Sequence, residues 1–108
     1  MTDNRTLSEQ YAEIAAQWAD YEHTASIKED TKSSFLSNLI QDRLLRGETA
    51  YNKAEMAVKA SREWVAYIEE TVEARRLANL WKVKKEVLWM RHSEQMSNAA
   101  NERLVAKL

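Results

Sequence analysis

The sequence predicts an all-α protein built from two long helices folded into an antiparallel, coiled-coil-like hairpin. Three observations carry that expectation. Proline is absent from the 108 residues, and the single glycine, Gly47, lies near the midpoint. Proline removes a helical donor and collides with the preceding turn, and glycine adds unfolded-state entropy, so both interrupt helices. Apolar residues recur at spacings of three and four on either side of Gly47, the period of a helix face. Charge is also segregated: residues 1–30 hold seven acids against Arg5 and Lys28, whereas residues 75–92 hold six bases against Glu86.

Helix 1 is expected over about residues 6–46. Leu7, Tyr11, Ile14, Trp18, Tyr21 and Ala25 alternate spacings of four and three, the seam of a helix pair. Lys28 and Lys32 then enter the seam within the polar stretch 26–34, where Ser33 and Ser34 could cap a new helix. Phe35, Leu36, Leu39, Ile40, Leu44 and Leu45 resume the apolar pattern, and one continuous helix is preferred. Arg43 and Arg46 suit the negative end of the dipole, and Gly47 suits a left-handed C′ position.

Helix 2 is expected over about residues 49–106, with Thr49 as its N-cap. Its seam begins Tyr51, Ala54, Val58, Val65, Ile68, Val72. Beyond Val72 the heptad would place Arg75, Asn79 and Lys82 inside, and the apolar stripe shifts to Leu77, Leu80, Trp81, Val87 and Leu88, flanked by Val83 and Met90. That stripe spans roughly half the helix circumference, more than one partner helix covers. With the turn at Gly47, residues whose numbers sum to about 94 should lie side by side. Much of the acidic block then faces the basic block, with Lys84 near Glu9 or Glu13, and residues from about 92 onward overhang helix 1.

A two-helix hairpin of one domain, residues 1–108, buries little surface for its length. A homodimer forming a helical bundle is the expected remedy, with Tyr11, Ile14, Trp18, Tyr21, Val65, Ile68, Val72, Leu77, Trp81 and Leu88 as the core or oligomer seam. The chain has no cysteine, no apolar run long enough for a membrane span and no basic-then-apolar leader, so a cytoplasmic protein is expected.

No catalytic, cofactor or metal site is expected. His23 and His92 are the only histidines, and since triads assemble in space, sequence spacing alone neither makes nor excludes one. In the hairpin His23 would fall near Glu69, Glu70 and Glu73, but the Glu-x-x-His repeat of carboxylate-bridged metal sites is missing, and a solvated acidic face is preferred. Glycine-rich phosphate loops, zinc spacings and nucleophile elbows are likewise missing. The basic segment is the candidate partner surface: Arg75, Arg76, Lys82, Lys85 and Arg91 pair phosphates, and Trp89 offers a ring on which a base can stack. A slightly acidic pI of about 6.1 ranks nucleic acid below protein as the partner. The end of helix 2, with Met90, Met96, Ala99, Ala100, Leu104, Val105 and Leu108, is amphipathic and suits a dimer contact or helix-in-groove docking.

Residues 64–104 also carry Val72-Glu73-Ala74-Arg75, Ala78-Asn79 and Asn101-Glu102-Arg103-Leu104 around a basic helix. This stretch resembles the C-terminal half of small helical proteins encoded by bacteriophages and prophages, whereas the N-terminal half matches only in pattern. The resemblance implies a phage accessory protein, without assigned enzyme activity, working in a bacterial cytoplasm. The leading expectation is therefore a non-enzymatic homodimeric hairpin that docks on another protein. The alternative is a nucleic-acid-binding accessory protein of phage replication or recombination.

Overall fold

The computed structural model describes residues 5–108, and all regular structure among them is helical. The elements are α1 (Leu7–Asp30), α2 (Lys32–Leu45), α3 (Tyr51–Lys59) and α4 (Arg62–Ala106). α1 runs antiparallel to the first half of α4, and α3 packs on α2.

Local chemistry sets each boundary. α1 starts at Thr6, whose hydroxyl accepts the Glu9 N–H at 3.1 Å, and Thr6 with Glu9 has the spacing of a capping box. Between α1 and α2 only Thr31 leaves helical geometry, two residues before Ser33. The continuous helix expected over about residues 6–46 is thus divided into two at Thr31, although backbone bonding carries on across the joint, from Thr31 N–H to the Ile27 carbonyl and from Phe35 N–H to the Thr31 carbonyl, both 2.9 Å. Across from the joint, the Tyr67 hydroxyl on α4 donates to the Lys28 carbonyl at 2.6 Å and lies 2.8 Å from the Thr31 hydroxyl. A side chain reaching into the helical ladder is a recognised cause of bending.

α2 ends with Gly47 at φ 117°, the left-handed region that suits glycine. The Gly47 N–H bonds the Leu44 carbonyl and the Glu48 N–H bonds the Arg43 carbonyl, a Schellman arrangement that satisfies carbonyls otherwise left open. Thr49 does not cap the next helix. Ala50 occupies the N-cap, without a side-chain bond.

The return arm is also not one helix. It is jointed at Ala60–Ser61, and Ser61 accounts for both sides of the joint. Its hydroxyl donates to the Val58 carbonyl at 2.5 Å and accepts the Trp64 N–H at 3.3 Å, closing α3 and opening α4.

Two clusters hold the arms together. At the turn end, Ile40, Ala54, Val58 and Trp64 are buried with Phe35, Leu36, Leu39, Leu44, Tyr67 and Ile68 around them. Phe35 stacks on Tyr67, with ring centroids 4.2 Å apart. Further along, Ala25 on α1 meets Ala74 and Ala78 on α4, beside Tyr21.

The α1 seam is as expected, with Leu7, Tyr11, Ile14, Trp18 and Tyr21 half-buried and Ala25 fully buried. The α4 seam is not. Its inward positions are Trp64, Tyr67, Thr71, Ala74, Ala78, Trp81, Lys85 and Leu88, spaced alternately by three and four. Val65 and Val72, expected inside, are 43% and 64% exposed, and Tyr51 is 53% exposed. Ala25 on α1 is fully buried against this stretch, and so close an approach of the two helices leaves room opposite only for small residues, so Ala74 and Ala78 take the inner face. Ile68 packs on the first cluster, Leu77 and Trp81 are half-buried, and Leu88 is buried.

The register differs as well. Glu22 pairs with Arg75, Lys28 with Glu70, Tyr21 with Trp81 and Tyr11 with Trp89, so facing numbers sum to about 100 rather than 94. Residues 46–50 all lie outside helices and the return arm has a second joint, which together centre the reversal nearer residue 50. The molecule is a rod of 84 × 27 × 16 Å. Its radius of gyration is 23.6 Å, against roughly 13 Å for a compact domain of this length. Residues 93–108 are exposed throughout.

Two substitutions test this packing. Ala78→Leu is expected to destabilise the pair by about 1–3 kcal/mol, because a fully buried alanine has no space beside it. Tyr67→Phe is expected to remove about 1 kcal/mol while leaving helicity unchanged. Urea midpoints followed by circular dichroism check both.

Candidate interaction surfaces along α4

With one face of α4 committed to α1, the opposite face is apolar. Leu80, Val83, Val87 and Met90 are 42%, 54%, 38% and 55% exposed and follow one another at spacings of three, four and three. That spacing makes a second helix seam, directed away from the first. The half-circumference stripe expected beyond Leu77 is thus two seams back to back. Trp81 and Leu88 belong to the inner one; Leu80, Val83, Val87 and Met90 form the outer one.

The basic segment is less available than its composition implies. Arg75 is held by α1: its Nε and Nη2 donate to both Glu29 oxygens at 2.9 and 2.5 Å, and its Nη1 donates to Glu22 at 2.7 Å. Arg76 makes a two-pronged contact with Glu73 on its own helix, at 2.9 and 2.6 Å. The Lys85 ammonium lies 3.9 Å from the centroid of the Trp18 ring, and that of Lys84 lies 4.3 Å from Trp81. These are cation–π distances. The expected approach of Lys84 to the acidic block goes only part of the way. Lys84 and Glu13 border one open groove, but Glu13 pairs with Arg5. Lys82 and Arg91 are exposed.

Trp89 is 53% exposed, with one side against Tyr11 at 5.6 Å and His92 at 5.8 Å. Tyr11, Trp89 and Met90 border a shallow, mainly apolar groove with Lys85 and Glu86 at its edge. The Trp18 indole N–H is buried without a hydrogen-bond partner. Its ring faces the Lys85 ammonium instead.

Two of the three acids expected around His23 are otherwise engaged. Glu70 pairs with Lys28 and Glu73 with Arg76, while His23 is exposed. Among the described residues no three histidine, cysteine or acidic side chains group as a metal site would need. None of the described helices is long and apolar enough to cross a membrane. No family model, no curated protein and no solved structure matches the chain.

The arginine contacts leave a signature on pH dependence. Hydrogen bonding to Arg75 holds the Glu29 carboxyl below its ordinary value, and hydrogen bonding to Arg76 does the same for Glu73. Its hydrogen bonds to Glu29 and then to Glu22 push Arg75 further up, so it stays charged at all accessible pH. A depressed carboxyl contributes stability in full above its unfolded value of about 4.5, and loses it as pH falls through the folded value. Stability is therefore expected to decline with acidification below about pH 4.5, and Glu29→Gln to flatten that decline. Urea midpoints across the acid range measure the slope.

Proposed function

We propose that the protein is a non-enzymatic interaction protein, a helical hairpin that self-associates and presents faces of α4 to another protein. The observation that carries this reading is the apolar surface of α4 that nothing in the described chain covers. It comprises the outer seam from Leu80 to Met90 and, past the end of α1, Met96, Leu104 and Val105. Soluble monomers rarely keep apolar residues in such continuous register on one helix without a partner for them. Exposed methionines suit a contact that adapts to its partner's shape. Following the resemblance of residues 64–104, the setting proposed is a bacterial cytoplasm, with the protein as a phage-encoded accessory factor.

Nucleic acid is the second reading, supported by the exposure of Lys82, Arg91 and one side of Trp89. It ranks lower because Arg75 and Arg76 are neutralised by carboxylates, and Lys84 and Lys85 lie on tryptophan rings. Phosphate would have to compete with each of those contacts.

Light scattering is expected to give twice the chain mass at micromolar concentration, and a monomer there overturns self-association. Host-lysate capture is expected to retain a partner on the full chain and lose it on a chain ending at His92. Retention by both moves the docking face away from the projecting end. A mobility shift at low salt that is lost with Lys82→Glu and Arg91→Glu favours nucleic acid instead.

A further inference from the structure

The outer seam of α4 extends beyond its four apolar residues. The next positions at the same spacing are Arg76 on one side and Glu94 on the other, both exposed. In order the seam reads Arg76, Leu80, Val83, Val87, Met90, Glu94, with steps of four, three, four, three and four. Run backwards, the steps are unchanged. Placed against its own reverse, arginine meets glutamate, leucine meets methionine and valine meets valine. The seam is thus complementary to itself when a second copy runs the other way.

We propose that α4 pairs with α4 of a second copy, antiparallel, about a two-fold axis that crosses the outer face of α4 between Val83 and Val87. This rests on the self-association proposed above and specifies the face and direction. Each layer occurs twice by symmetry: Leu80 on Met90 of the second copy, Val83 on Val87, and Arg76 on Glu94. The inner face of α4 carries α1, so the outer face is free to receive the second copy, and the α1 helices lie outermost in the assembly.

Orientation is decided by the charges in the seam. In a parallel pair Arg76 would meet Arg76 and Glu94 would meet Glu94, both within the contact. In the antiparallel pair every seam charge meets its opposite. The antiparallel arrangement does bring Lys84 towards Lys84 and Glu86 towards Glu86, but on the solvated flanks, where screening is strong. Lys84 is also drawn back over the Trp81 ring on its own chain. Like charges inside a seam cost far more than like charges at its rim. A second copy is favoured over an unrelated helix because the match covers size, spacing and charge at once. Arg76 already holds Glu73, so in the pair its guanidinium would sit between two carboxylates, as Arg75 does between Glu22 and Glu29.

The chain has no cysteine, so cross-linking can be placed at will. Full-length Val83→Cys and Val87→Cys chains are prepared separately, then oxidised alone and as an equal mixture. The expected result is a covalent dimer mainly in the mixture, because position 83 faces position 87 of the other copy. Stronger cross-linking of either variant alone overturns the antiparallel register. In parallel, sedimentation compares Arg76→Glu, Glu94→Arg and the double exchange. Each single change should weaken self-association roughly tenfold or more, since it places two like-charge layers in the seam, and the exchange should restore it. Helicity by circular dichroism confirms that each variant folds. A wild-type dimer that is indifferent to these changes overturns this face while leaving self-association standing. A wild-type monomer removes both.

Discussion

The contact of Ala25 with Ala74 and Ala78 governs the arrangement of this rod. Ala25 and Ala78 are fully buried, which requires the α1 and α4 backbones to come close where they meet. Rings flank that contact on both sides. Phe35, Trp64 and Tyr67 stack towards the turn, and Tyr21 lies on Trp81 towards the open end, with centroids 5.8 Å apart. A slip of one helical turn would drive Trp81 into the space of Ala78. The register is therefore fixed by where large side chains cannot go as much as by where apolar ones prefer to go. The charged contacts obey the same constraint: Arg75, next to Ala74, reaches Glu22 and Glu29 on either side of Ala25.

That register also determines what becomes of the basic residues. Positions 81 and 85 face α1, so Lys85 cannot point fully into solvent, and its stem crosses the seam to bring the ammonium over Trp18. Such a contact is compatible with the buried indole N–H of Trp18, because the ring face carries the negative end of the quadrupole. Arg75 is consumed by two carboxylates. What composition presents as one block of positive charge becomes in three dimensions a row of residues held by carboxylates and rings, with Arg76 and Lys84 at the surface beside Lys82 and Arg91.

Much of this architecture is legible from residue order, and the illegible parts have physical causes. Sparse helix breakers and the alternating pattern from Leu7 to Ala25 predict an all-helical chain with α1 facing inward, and the coordinates have both. The joint at Ala60–Ser61 has no proline or glycine to announce it. It comes from one serine whose hydroxyl serves a carbonyl behind and an N–H ahead, a weak signal against a strong helical background. The inner seam of α4 is hard to read because it runs through Thr71, Ala74 and Ala78, while larger apolar residues such as Val65 and Val72 stand outside. Hydrophobicity ranks Val72 above Ala74; the close approach of α4 to Ala25 reverses the order. Holding the strict heptad from Trp64 through Tyr67, Thr71, Ala74 and Ala78 to Leu88 would have separated the two seams.

The two seams of α4 bear unequally on stability. The inner one is narrow, and Ile40, on α2, is the largest side chain to be fully enclosed anywhere in the described chain. A rod this thin encloses few side chains completely, and conformational entropy for a chain of this length opposes folding by an amount close to everything burial supplies. The apolar surface that the outer seam leaves in water contributes nothing to folding. Covering them would add burial without ordering any further backbone, since α4 is already helical along its whole length there. Cover gained through association would tie apparent stability to concentration, because whatever binds only the folded chain shifts folding by mass action. The second seam thus lies where a narrow hairpin has most stability to gain, on a helix that the first seam already holds against α1.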